Sequence, residues 1–129
     1  MRYSVKSEIL GFENMQEAEF KEVDALFASL KDPNNPHIAF TLVNPFALRE
    51  YEFEIPSYVE ALLEVKESSK LLIYNVAVLQ TPIEETRVNF LAPIIMNPEN
   101  GTLAQALLKR EAYPDFGMAE AIGDFLKDE

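Results

Sequence analysis

Few side chains in this sequence could carry chemistry, and their spacing narrows the choice further. The single histidine is His37, and there is no cysteine. Disulfides, thiolate zinc sites and cysteine nucleophiles are therefore excluded, and any catalytic triad or metal cluster would lack its commonest member. His37 follows Pro36 at the edge of a turn and reads as an ordinary surface residue rather than a ligand. Glu52 with Glu54, and Glu84 with Glu85, could be imagined as acid–base pairs. Adjacent or alternating glutamates in a charged segment read instead as solvated side chains. The run Asn97–Gly101 (NPENG) carries oxygen donors but not the acidic ladder of a calcium loop, so it reads as a turn. Asn100, Gly101 and Thr102 spell a glycosylation sequon, which has no use without a secretory signal. The four glycines lie far apart, and none makes a phosphate loop or flanks a serine as a nucleophile elbow does. These residue types point away from catalysis and imply no metal and no cofactor.

The elements that would position such groups are mostly strands. Tyr3, Val5, Ser7 and Ile9 alternate with Arg2, Ser4, Lys6 and Glu8, which predicts a half-buried strand ending at Gly11. Phe20 to Ala25 and Leu26 to Leu30 predict a short hairpin, followed by a turn over Asp32 to Pro36. His37 to Asn44 predicts a strand that stops at Pro45. After Pro56, Val59, Leu62 and Leu63 fall at helical spacing, so a helix from about Ser57 to Val65 should lay these three on the core. Leu71 to Gln80 is apolar on both faces and predicts a central strand.

The stretch VNFLAPIIMNPENGTLAQALL, residues 88 to 108, has Glu99 as its one ionised side chain. As a strand interrupted at Pro93 it would present apolar side chains to both sides. Asn100 and Gly101 then predict a two-residue hairpin turn, and Thr102 to Glu111, despite helical composition, the returning strand. The expected fold is mostly β: a single domain built as a small antiparallel barrel or sandwich with one or two short helices. Residues 1–114 would form the β domain and 115–129 an acidic tail. In that tail Met118, Ile122 and Phe125 or Leu126 have the spacing of a short amphipathic helix, docked on the barrel or acting as an arm that guards a partner groove.

With 129 residues, 48% of them apolar, the chain can bury a core without disulfides. It carries 22 acidic against 11 basic side chains, a formal charge of −11. Such a surface repels nucleic acid and anionic lipid and steers basic partners toward itself. The N-terminus lacks the apolar run of a signal peptide, and no window has the length of a membrane span, so a cytosolic protein is expected.

Several motifs together resemble the FliW family of flagellar assembly factors. They are Gly11–Phe12–Glu13, the spaced aromatics Phe20 and Phe27, FTLVNP at Phe40 to Pro45, and above all residues 88 to 108 followed by Tyr113. Asn44 replaces a usual aspartate and Phe90 a usual leucine, and the tail beyond Tyr113 is outside the pattern. The resemblance implies a non-catalytic regulator that binds cytosolic flagellin. When free of flagellin, such a factor binds and antagonises the translational repressor CsrA, relieving repression of flagellin synthesis. Candidate contacts are the apolar Phe46, Leu91 and Ile95, the acidic Glu52, Glu54, Glu84 and Glu85, and the amides Asn89 and Asn97. Each has a plainer alternative: core packing for the apolar group, solvation for the acids, and satisfaction of backbone groups around Pro93 and the following turn for the amides. A competing function class is a small barrel enzyme or ligand carrier with an interior pocket.

Overall fold

The structure is a computed structural model that describes residues 1–126. Nine strands are formed: β1 (Arg2–Val5), β2 (Glu17–Glu22), β3 (Phe27–Asp32), β4 (Asn35–Val43), β5 (Leu72–Val78), β6 (Arg87–Val88), β7 (Ile94–Asn97), β8 (Thr102–Gln105) and β9 (Glu120–Ala121). One α-helix, α1 (Ser57–Leu63), and three single 3-10 turns complete the fold. Strands β4-β3-β2-β1-β8-β7-β5 form a ring that the β4–β5 pairing closes into a seven-stranded barrel. Every neighbouring pair is antiparallel except β1 and β8, which run parallel through Ser4↔Thr102 and Val5↔Leu103.

Alternation along the strands sorts side chains between the lumen and the outside. Tyr3, Leu30, Leu42, Ile94, Met96 and Leu103 point inward and are wholly buried, so side chains fill the barrel. The outward faces of β5, β7 and β8 are apolar as well, and the rest of the chain covers them. Helix α1 lays Val59 and Leu63 on Ile95, Ala104 and Ala106. Leu62, expected in the core, lies on the outer side of the helix. On the adjoining face, Val43, Ala77, Val88 and Phe90 lie beneath Leu48 and Tyr51 and beneath Phe116 and Ile122 of the C-terminal segment.

Asn97 and the turn after it act on α1. The helix ends at Leu63, with Glu64 in the left-handed region at φ 53°. The Leu63 carbonyl accepts from Asn97 Nδ2 at 3.0 Å, Asn100 Nδ2 at 3.0 Å and Thr102 Oγ1 at 3.3 Å. These three donors satisfy a carbonyl that a helix end leaves open. The turn is longer than the two residues expected. Asn97 pairs with Thr102 across four loop residues, and Gly101 alone takes positive φ, at 66°.

Two other expectations change. The first strand stops at Val5 rather than running to Gly11, because Leu10 N–H donates to Gln105 Oε1 and Gln105 N–H donates to Ser7 Oγ, side-chain links that replace the ladder. The C-terminal segment is not an amphipathic helix. Glu120–Ala121 pairs with β6 as β9, followed by a 3-10 turn over Ile122–Asp124; residues 127–129 lie outside the described residues. Gly123 makes this path feasible, since a Cβ there would stand 2.9 Å from the Glu84 carbonyl oxygen.

Candidate functional site

The expected single strand over residues 88 to 96 is instead two, β6 and β7, set along the same side of β5. Ala77 faces Val88 and Tyr74 faces Ile94, so five residues, Asn89 to Pro93, bulge out opposite two. A bulge of that size strips five carbonyls of their ladder partners, yet each finds a donor. Asn75 Nδ2 donates to Asn89 O at 2.9 Å, Tyr51 OH to Phe90 O at 2.6 Å and Gln105 Nε2 to Ala92 O at 3.1 Å. The backbone N–H groups of Leu108 and Ala106 donate to Leu91 O and Pro93 O at 2.8 and 2.9 Å. Asn89 Oδ1 in turn accepts from Leu91 N–H at 2.9 Å, closing an Asx turn. Burial pushes the Tyr51 hydroxyl up to about 12, opposed by its hydrogen bond from Asn75 and by the nearby Arg49 charge. Tyr51 therefore stays a neutral donor.

This fixed bulge floors an open apolar groove. One hollow of about 250 Å³ lies over Leu91 and Ala92, walled by Leu10, Leu107, Leu108 and Met118. A second, of about 230 Å³, adjoins it through Leu10, Asn89 and Met118 and extends over Val76 and Val78. Leu107 is 53% exposed and Met118 59%, and Leu10 and Val78 are similarly open. Four large apolar side chains thus stand in water along one groove.

A different hollow, of about 350 Å³, is acidic. Glu50, Glu52 and Asp115 line it with the rings of Tyr113 and Phe116, which stack 5.4 Å apart. Tyr113 OH accepts from the Glu54 backbone N–H at 2.9 Å, and Glu54 borders an adjoining hollow. The positive charge here, Arg49, is already engaged. Its Cζ lies 5.0 Å from the ring centres of Phe90 and Phe116 and 5.2 Å from that of Phe125. Its Nη1 bonds Glu120 Oε2 at 3.3 Å, the oxygen that also accepts from Gly117 N–H at 2.7 Å. Arg49 thus staples the C-terminal segment to the barrel, and with it Met118, one wall of the apolar groove.

The residues singled out from sequence separate into groups. Asn89 and Leu91 belong to the apolar groove, Asn89 on its wall and Leu91 in its floor. Glu52 and Glu54 belong to the acidic hollow around Tyr113. Glu84 and Glu85 are exposed in the 3-10 turn Ile83–Glu85 and line neither hollow. Phe46 is exposed beside Tyr51, with ring centres 6.1 Å apart. Ile95 and Asn97 are wholly buried under α1, so neither faces a partner in this conformation. Of the two apolar candidates in residues 88 to 96, Leu91 is buried in the groove floor and Ile95 lies covered by α1. Sequence reading missed Leu10 and Leu107, and it named Met118 only within a tail helix that does not form; the three become neighbours through the barrel alone. It also missed Tyr51, Asn75 and Gln105, although polar residues inside LLIYNVAVLQ and TLAQALL are a signal that buried backbone needs partners.

Comparison with known proteins agrees with the architecture. The model of the family described as FliW protein matches residues 2–116. Flagellar assembly factor FliW 1 of Wolinella succinogenes is 49% identical over 128 residues, covering 99% of this chain and all of that protein. FliW of Sulfurimonas denitrificans is 46% identical, covering 98% of this chain and 99% of its own. A crystal structure of the flagellar assembly factor FliW superimposes with a TM-score of 0.85 at 19% identity, over 99% of this chain and 88% of the other. No helix among the described residues is long and apolar enough to cross a membrane.

Proposed function

This chain belongs to the FliW family of flagellar assembly factors, and from that premise we propose that it is a non-catalytic cytoplasmic regulator that binds flagellin and, when flagellin-free, binds and antagonises the translational repressor CsrA. The observation that carries the reading is the open apolar groove over Leu91, with Leu107 and Met118 standing in water beside it. A rigid, side-chain-lined groove suits an amphipathic helix laid in by its apolar face, and flagellin is the partner assigned to it. The acidic hollow at Glu50, Glu52 and Asp115, with its stacked aromatic wall, suits a lysine or arginine of a basic RNA-binding protein, and CsrA is the partner assigned there. The chain itself, at −11, is not an RNA binder.

The reading is tested by titrating the purified chain with flagellin and with CsrA, singly and in sequence. Each should bind, and saturating flagellin should lower CsrA capture. Raising ionic strength should slow CsrA association much more than it speeds dissociation, since screening acts on long-range attraction. Failure to bind flagellin, or CsrA capture indifferent to flagellin, would remove this function.

A further inference from the structure

The apolar groove departs from the rest of the surface in its charge. In a chain of −11, the only charged side chains lining the two hollows among the described residues are arginines, Arg110 in one and Arg87 in the other. Arg87 Nη1 donates weakly to Ala119 O at 3.4 Å. Neither arginine forms an ion pair among the described residues, whereas Arg2 and Arg49 each pair with a glutamate. Both are exposed, so their charge is available to whatever enters.

The shape of the groove restricts the occupant. Hollows of about 250 and 230 Å³ fall below the ~300–1,000 Å³ of sites that enclose an organic ligand, and each fits a single apolar side chain. The barrel strands beneath offer no free edge for strand addition: β5 is flanked by β4 on one side and by β6 and β7 on the other, and β8 by β1 and β7, while the outer strand β9 has only two residues. Two adjoining hollows that share Leu10, Asn89 and Met118 suit two neighbouring apolar side chains of one segment, as a helix presents one turn apart.

We propose that the groove takes an amphipathic helix of a protein partner in which two apolar residues one turn apart are flanked by carboxylates that pair with Arg87 and Arg110. This rests on the groove-docking reading above and adds the charge its occupant must carry. The chain's overall charge favours a basic ligand, so local and global electrostatics give opposite answers. The groove interior is where they are decided, because at physiological salt charges beyond about 8 Å are largely screened.

Two synthetic helical peptides with the same pair of leucines four positions apart, one flanked by glutamates and one by lysines, are titrated into the full chain at physiological salt. The glutamate peptide should bind about five- to tenfold tighter, the range of two exposed ion pairs. The double variant R87E/R110E should reverse that order, and Leu107→Asp should abolish both complexes. Equal or opposite preference in the parent chain, an order unchanged in the double variant, or no binding of either peptide would overturn the proposal. A parallel flagellin titration separates its failure from that of the docking reading. Flagellin binding lost in Leu107→Asp but untouched by R87E/R110E defeats the charge assignment alone, while binding that survives Leu107→Asp defeats both. A dimer on sizing that Leu107→Asp dissociates would give the groove to a second copy of this chain and overturn the proposal as well.

Discussion

Ile95 and Leu107 lie twelve positions apart in one apolar stretch, and the fold puts them to opposite uses that two substitutions should separate. Ile95 is fully buried beneath Val59 and Leu63 of α1, with Ala104 and Ala106 beside it. Ile95→Ala removes three carbons, worth about 2.5 kcal/mol at ~0.8 kcal/mol each. The remaining cavity raises the loss to about 3–4 kcal/mol, inside the ~2–5 kcal/mol range of such truncations. For a domain of this size that lowers Tm by roughly 10–15 °C, and a total stability of about 5–15 kcal/mol leaves the variant folded at room temperature. Its affinity for flagellin should match the parent's. Leu107, more than half exposed, should behave in reverse. Leu107→Asp should shift stability by no more than about 0.5 kcal/mol, but it loses the apolar burial of docking, about 1.5–3 kcal/mol, or roughly 10- to 150-fold in affinity. Calorimetric melting and flagellin titration of both variants give four numbers. A parent-like melt with lost binding for Ile95→Ala, or a collapsed melt for Leu107→Asp, would refute the assignment of the two faces.

Three further outcomes follow from the polar and cationic contacts. Arg49→Met keeps an unbranched apolar stem but removes the charge over Phe90, Phe116 and Phe125 and the pair with Glu120. A loss of about 1–3 kcal/mol and faster proteolysis around residues 114–120 are expected, and an unchanged cleavage rate would refute the staple. Because Tyr51 is raised to about 12 in the folded state against about 10 in the unfolded chain, the unfolded state releases the proton first. The stability linked to Tyr51 is thus complete below about pH 10 and falls by about 1.4 kcal/mol per pH unit as pH rises toward 12. Denaturant melts from about pH 9.5 to 11.5 should decline less steeply in Tyr51→Phe; Tyr3 and Tyr74, also raised by burial, are common to both proteins and cancel. Asn100→Ala and Thr102→Val should each cost about 1 kcal/mol or less, since Leu63 O keeps other donors. A double-mutant cycle should show the pair costing more than the sum, and strict additivity would argue against a shared acceptor.

What could be read from the sequence was what is local or periodic. Runs of β-forming and apolar residues found β4 and β5, the 3.6-residue spacing found α1, and the Asn100–Gly101 signal correctly favoured a returning strand at Thr102 over a helix. The resemblance found the family. Long-range geometry was not legible: nothing in residues 88 to 96 says that Asn89 to Pro93 leaves the sheet, because the groups that make this possible, Tyr51, Asn75 and Gln105, lie far along the chain. The C-terminal segment misled for a related reason. Spacing that fits a helix also fits an extended strap whose apolar residues dock one by one, and Phe116 and Ile122 do so. Apolar residues on both faces of a strand implied either a covered or an open second face, and the chain uses both, α1 over Ile95 and solvent beside Leu91.

The parallel seam between β1 and β8 has a consequence for how the protein comes into being. It joins residues near the start of the chain to Thr102–Gln105, with Gln105 N–H reaching Ser7 Oγ across 98 positions. During synthesis, β1 to β4 pair with their immediate neighbours and form an open four-stranded sheet as soon as they emerge. Its two edges, β1 and β4, wait for β8 and β5 respectively. The stretch from Val43 to Gln105 takes about 3–12 s to make at ~5–20 residues per second. The β4 edge stays unpaired until β5 is made and the β1 edge for the whole interval, with the row that includes Leu30 and Leu42 uncovered, the condition in which nascent β proteins associate with one another. Closure therefore waits for β8, and its rate belongs to the slow, non-local end of small-domain folding, milliseconds to seconds.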